Sequence, residues 1–180
     1  TGYAVDELLK QLPFAENGKL FNLSELICGS EGTLVFITAI KLNLVPLPPK
    51  EKVVVAVHFK TLEESLRATV IAMHFQPTAC ELMDKIILDC TKENIEHRKN
   101  RFFVKDDPEA ILCIEFHADT KEEIEQKANA LRLEFERENV GYHFPFIYGN
   151  DINKVWSLRK AGLGLLANIP GDPKAVAVIE

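Results

Sequence analysis

The sequence predicts an α+β fold in which helices cover one face of a mainly antiparallel, ferredoxin-like sheet. A shorter segment of different character precedes it. Three observations predict this. From Lys52 onward, strand-like and helix-like segments alternate with short connections, the pattern of helices packed on an antiparallel sheet. Two of the helical segments open on threonines, Thr61 and Thr120, each followed by a pair of glutamates within four residues, where a helix start accepts a hydroxyl cap and favours negative charge. Three prolines in four residues, Pro46-Leu47-Pro48-Pro49, form a stiff break that separates residues 1–48 from residues 49–180.

The elements follow in order. Residues 6–12 carry apolar side chains at a helical spacing and stop at Pro13, and Asn17-Gly18 marks a turn. Residues 20–27 read as one or two helical turns. Residues 33–45 are dominated by Val, Ile, Leu, Phe and Thr and read as a strand that the prolines end. Residues 52–59 read as a strand and residues 61–75 as a helix capped by Thr61. Residues 79–90 read as a second helix or a strand-helix mixture. The polar stretch 91–108 is expected to be partly loop. Residues 110–117 read as a strand. Thr120-Lys121-Glu122-Glu123 is a capping box that opens a helix to about residue 139, ended by Gly141. A short strand is expected over 142–148, then a last helix capped by Asp151 and running through Trp156 and Arg159, then a glycine-rich loop.

Composition excludes several classes. The chain has 180 residues, 47% of them hydrophobic and 27% charged, with no low-complexity stretch, so it buries a real core and is not disordered over most of its length. A formal net charge of −6 repels a phosphate backbone, and the small basic cluster His97, Arg98, Lys99 and Arg101 reads as a solvated helix end or loop; no nucleic-acid partner is expected. No apolar run approaches the roughly 20 residues of a membrane helix, and the N-terminus does not read as a signal peptide. The four cysteines, Cys28, Cys80, Cys90 and Cys113, contain no Cys-x-x-Cys spacing and read as buried free thiols of a cytosolic protein. A first residue other than Met, and the apolar run 175–180 with no turn after it, are the expected marks of a piece of a longer chain.

Three stretches stand out chemically. In Gly29-Ser30-Glu31-Gly32-Thr33-Leu34, glycines permit positive φ and close backbone approach, so several N–H groups can face one anion; the same spacing also suits an ordinary helix-to-strand turn. It is neither a Walker motif nor a Rossmann fingerprint. In Trp156-Ser157-Leu158-Arg159, Trp156 and Arg159 share a helix face, and the guanidinium fork matches a carboxylate; a core tryptophan beside a surface ion pair fits as well. Gly162, Gly164 and Gly171 weaken a helix, so the helix ends there, or something approaches its backbone, or the stretch is a flexible surface loop. None of the five histidines forms a His-x-His or His-x-x-x-His pair, and no metal site is expected from them. The pairs Glu63-Glu64 and Glu122-Glu123 are helix-start charges, and no Ser/His/Asp set can be assembled.

Taken in order, several stretches resemble one family, the FAD-linked oxidases and dehydrogenases with a vanillyl-alcohol-oxidase (PCMH) type of FAD domain, in its 2-hydroxy-acid branch. That branch includes D-lactate dehydrogenases, glycolate oxidase subunits and D-2-hydroxyglutarate dehydrogenases. Thr1-Gly2-Tyr3-Ala4 is similar to the middle of the FAD domain. The stretch from Gly29 to Leu34, with Ile37-Thr38 and Leu44-Val45-Pro46-Leu47-Pro48, resembles its closing strand and exit. Trp156, Leu158, Arg159, Lys160, Ala161 and Gly162, then Pro170-Gly171-Asp172 and residues 175–180, resemble the cap domain of the large bacterial members, which carry a fused iron–sulfur domain.

The resemblance implies that residues 1–48 end an FAD-binding domain and residues 49–180 belong to a substrate, or cap, domain. It implies a cytoplasmic or peripheral inner-membrane enzyme that oxidises a D-2-hydroxy acid by hydride transfer to FAD. Gly29, Ser30, Glu31, Gly32, Thr33, Leu34 and Ile37 would line the flavin. Arg159 would pair with the substrate carboxylate, and Lys174 would be a second cationic contact, which suits a dianion. The catalytic base, the ligands of a divalent metal and the iron–sulfur cysteines would lie after Glu180, and the pyrophosphate loop before Thr1. An electron acceptor or fused iron–sulfur domain would be the partner, and a homo-oligomer is compatible. Val35 stands where the family usually has glycine, and Leu163 is apolar where a hydroxyglutarate-type member would place a polar contact. The competing reading is a ferredoxin-like module without chemistry, sensing a small acid or mediating assembly.

Overall fold

The computed structural model describes residues 3–167. The chain divides into two compact units, Thr1–Pro46 and Leu47–Glu180, with the division inside the proline run.

The first unit holds two short helices, α1 (Val5–Leu9) and α2 (Ser24–Cys28). Buried Gln11 organises it: its amide donates to Glu25 Oε2 at 2.9 Å, and its Oε1 accepts from the Asn22 amide at 2.5 Å. The strand expected over residues 33–45 does not form. The segment runs without a ladder, and Phe36 and Leu44 are 92% and 94% exposed. High β-propensity describes a side chain that fits a pleated, half-buried surface. A strand also needs a neighbour to take its N–H and C=O groups, and among the described residues this segment has none.

In the second unit, β1 (Glu51–Phe59), β2 (Ala79–Asp84), β3 (Ala110–Ala118) and β4 (Phe146–Tyr148) form one antiparallel sheet in the order β2-β3-β1-β4. Helices α3 (Leu62–Met73) and α6 (Lys121–Arg137) complete a βαββαβ ferredoxin-like unit. Both open as expected: Thr61 Oγ1 accepts from the Glu64 amide at 3.1 Å and Thr120 Oγ1 from the Glu123 amide at 3.2 Å. The ambiguous stretch 79–90 resolves at Asp84, which ends β2 and caps α4 (Lys85–Glu93) by accepting from the Ile87 amide at 2.9 Å. The polar stretch 91–108 contains α5 (Ile95–Arg98) and a 3-10 turn (Lys99–Arg101).

Helices α3 and α6 cover one face of the sheet, against Val53, Val55, Val57, Leu112, Ile114 and Phe116. The opposite face is covered too, by α4 and α7 (Asp151–Ala167), which bring Leu88, Ile152, Val155 and Leu158 onto Val54, Ala56, Ile111 and Cys113. This second layer explains why every residue from Val53 to Phe59 is fully buried. A strand covered on both faces reads as a continuous apolar run, not an alternating one, and VVVAVHF is such a run. Helix α7, with Asp151 in its first turn, continues through Gly162 and Gly164, where a glycine-rich loop was expected. A Cβ on Gly162 would sit 3.3 Å from Ile87 Cδ1, so this glycine lets α4 and α7 approach closely.

Candidate functional site

The turn singled out in the first unit is tightly built. Gly29 caps α2. Ser30 donates twice to the Ile27 carbonyl, from its amide at 3.0 Å and its hydroxyl at 2.8 Å. Thr33 donates twice to the Ser30 carbonyl, from its amide at 2.9 Å and its hydroxyl at 2.6 Å. Between them Glu31 and Gly32 have φ of 49° and 75°, the two positive values of a type I′ turn. Ser30 is buried, whereas Glu31, Gly32, Thr33, Leu34 and Ile37 are exposed. The amides of Glu31, Gly32 and Leu34 meet no acceptor among the described residues. The turn therefore presents exposed backbone donors next to the exposed apolar side chain of Leu34.

On the second unit, α7 aims two side chains at two strand carboxylates. Arg159 Nη2 lies 2.6 Å from Glu81 Oε2 on β2, with the two side chains 46% and 38% exposed. One turn earlier, Trp156 Nε1 donates to Glu115 Oε2 on β3 at 2.6 Å, and Glu115 Oε1 meets His117 Nε2 at 2.6 Å. Glu115 is buried, and these two donors satisfy it. Both carboxylates face α7 because strand side chains alternate. Glu81 lies two residues from Met83 and Glu115 two from Cys113, both buried in the core on that face. Helical spacing alone puts Trp156 and Arg159 on one face but says nothing of their partners. A carboxylate inside an apolar strand needs a partner, and AILCIEFHA holds Glu115 and ACELMD holds Glu81 in such a position. Lys174, Gly171 and the side chain of Leu163 lie outside the described residues.

A cavity of about 760 Å³ opens at the end of the sheet where β1 begins and β3 and β4 finish. Trp156, Tyr148 and Glu115 line it, with Lys50, Lys52 and Lys121 around it, and these lysines enter no ion pair among the described residues. Arg159 is not part of its wall.

Two histidines far apart in sequence meet in the core. His58 is fully buried and pairs edge-on with His143, ring centroids 5.0 Å apart. Its Nδ1–H donates to the Ala56 carbonyl at 2.9 Å, and its Nε2 accepts from the Lys105 amide at 3.2 Å, which fixes a neutral tautomer. Burial pulls its pKa down to about 4. The four cysteines are free thiols as expected, but of the four only Cys113 is buried; Cys80 and Cys90 are partly exposed and Cys28 is exposed. Burial pushes Cys80 up to about 11 and raises Cys113 as well, so neither is a reactive thiolate near neutral pH. No helix of the described residues is long and apolar enough to cross a membrane.

The model of one family, FAD linked oxidases, C-terminal domain, matches residues 48–180. Among curated proteins, the D-2-hydroxyglutarate dehydrogenase of Haemophilus influenzae is 28% identical over 191 aligned residues, covering 100% of this chain and 18% of the relative. That of Pseudomonas putida is 30% identical, with 92% and 17% covered, and that of Escherichia coli K12 is 26% identical, with 89% and 17% covered. The chain thus spans about 17–18% of the length of these relatives.

Proposed function

Because the chain belongs to the family of FAD linked oxidases, C-terminal domain, we propose that it is the substrate-side part of a flavin-dependent dehydrogenase that oxidises a D-2-hydroxy acid. D-2-hydroxyglutarate is the first candidate substrate, since relatives that match along 92% and 100% of the chain bear that name, and D-lactate is the second. The observation that carries the reading is Arg159. It is a cation on a helix packed rigidly to a sheet, half-exposed, with one nitrogen held by Glu81 and the rest of its fork open to a second carboxylate.

In this assignment residues 1–48 end the FAD-binding domain and residues 49–180 form the substrate domain. The turn Gly29, Ser30, Glu31, Gly32, Thr33 and Leu34, with Ile37, fits one wall of a flavin site, because its amides at Glu31, Gly32 and Leu34 are without acceptors among the described residues. FAD, when bound, would supply the acceptor for a hydride from the substrate α-carbon. Arg159 holds the carboxylate next to that carbon, and Lys174 takes a second carboxylate. Their contribution is orientation and charge neutralisation. The base, a divalent metal and an iron–sulfur cluster belong to residues outside this chain, and electrons leave through an acceptor or a fused iron–sulfur domain. A cytoplasmic enzyme, peripheral at most to the inner membrane, completes the proposal.

The test is the full-length protein. It is expected to purify yellow and to be bleached anaerobically by a D-2-hydroxy acid. A colourless full-length protein that no such acid reduces refutes the proposal and favours the second reading, a small-acid-binding module, for which the lysine-rimmed cavity at the sheet end is the specific observation.

A further inference from the structure

We propose that Glu81 is the positioning residue of the substrate arginine. This inference rests on the reading that Arg159 holds the substrate carboxylate. Most ion pairs among the described residues join neighbours on one helix, such as Lys154 with Asp151 or Arg132 with Glu136, and fix nothing beyond their own turn. The Glu81–Arg159 pair instead spans two elements, β2 and α7. Glu81 sits opposite Cys113 in the β2–β3 ladder, so its backbone is set by the sheet. Arg159 sits one turn beyond Trp156, whose bond to buried Glu115 sets the rotation of α7 over the same strands. Both ends of the pair are anchored before the two side chains meet.

An arginine on an exposed helix face samples many rotamers. A fixed carboxylate against one nitrogen removes most of them before any ligand arrives. The pair is made from one oxygen to Nη2, and a guanidinium has five donors in one plane. The remaining edges stay available, and Glu81 determines which way they face. Glu81 also opposes a substrate carboxylate by its charge, so the two effects push affinity in opposite directions. The anchored geometry makes orientation the larger effect, and the sign of the change upon removing Glu81 decides between them.

The experiment uses the full-length enzyme with D-2-hydroxyglutarate and D-lactate as probes, in the variants Glu81→Ala, Glu81→Gln, Arg159→Ala and Glu81→Ala/Arg159→Ala, each checked for flavin content. Glu81→Ala is expected to raise KM roughly tenfold while kcat at saturation changes far less. Glu81→Gln, which keeps an acceptor oxygen in place, is expected to restore most of the loss. In the Arg159→Ala background, removing Glu81 is expected to add nothing. An unchanged or lowered KM in Glu81→Ala overturns the proposal, as does an equal rise with and without Arg159. A normal KM in Arg159→Ala alone would instead overturn the substrate reading itself, so the two failures are told apart.

Discussion

Lowering the pH tests the core of the second unit directly through His58. Both of its ring nitrogens are committed, Nδ1 as donor to Ala56 and Nε2 as acceptor from Lys105, at 2.9 and 3.2 Å. A second proton would place one N–H against another inside a fully buried site. Burial is the main cause of its depressed pKa, and His143 adds to it; the Ala56 carbonyl and Asp106 oppose it without prevailing. The folded value is about 4 and the ordinary value 6.5. Between them the unfolded chain binds the proton and the folded chain does not. Stability is therefore fully present above pH 6.5, falls as the pH is lowered, and levels off below 4. At 1.36 kcal/mol per unit, the gap corresponds to about 3 kcal/mol. The assay is urea unfolding at stepped pH, followed by fluorescence of the single tryptophan, Trp156, which reports on this unit. Other groups, His143 among them, titrate in the same window, so the quantity to read is the difference between the native chain and His58→Gln. His58→Gln is expected to be less stable at pH 7 but flatter, its pH-dependent loss smaller by about 3 kcal/mol. Equal slopes in the two proteins would refute the argument.

Other expectations follow from packing and caps. Trp156→Phe leaves buried Glu115 Oε2 without its donor and is expected to cost about 1–3 kcal/mol in urea unfolding, with much of that recovered by adding Glu115→Leu. Gly162→Val drives a branched side chain against Ile87 and is expected to destabilise by about 1–3 kcal/mol, read as a lower thermal midpoint. Thr120→Ala removes the cap of α6 and is expected to cost about 1 kcal/mol in the same melt.

Local signals carried most of the second unit. Thr61 and Thr120 announce their helices because a hydroxyl cap is satisfied within four residues, and no distant partner is needed. The double coverage of the sheet was written in the continuous run VVVAVHF, but a short apolar run does not say by itself how many faces are covered. Residues 33–45 mislead for the opposite reason. Their propensity is strand-like, yet pairing is a property of two segments, and no partner segment is present among the described residues. Gly162 was legible as a glycine that asks for a close approach, though not that Ile87 makes it. At the candidate site, Trp156 and Arg159 could be placed on one helix face from spacing alone. Glu81, Glu115 and the meeting of His58 with His143 depend on strand pairing and on the packing of α7 against the sheet, which join positions 41 to 85 residues apart and leave no local trace.

In the proposed function this chain supplies the arm that holds a 2-hydroxy acid against a flavin. Anaerobic single-turnover flavin reduction in the full-length protein, compared with Arg159→Ala, tests that role most directly. If the claim holds, Arg159→Ala keeps its flavin, while the D-2-hydroxyglutarate concentration giving half-maximal bleaching rises about tenfold to a hundredfold, the worth of a charge-assisted carboxylate pair. Bleaching at the same concentrations in both proteins would contradict it.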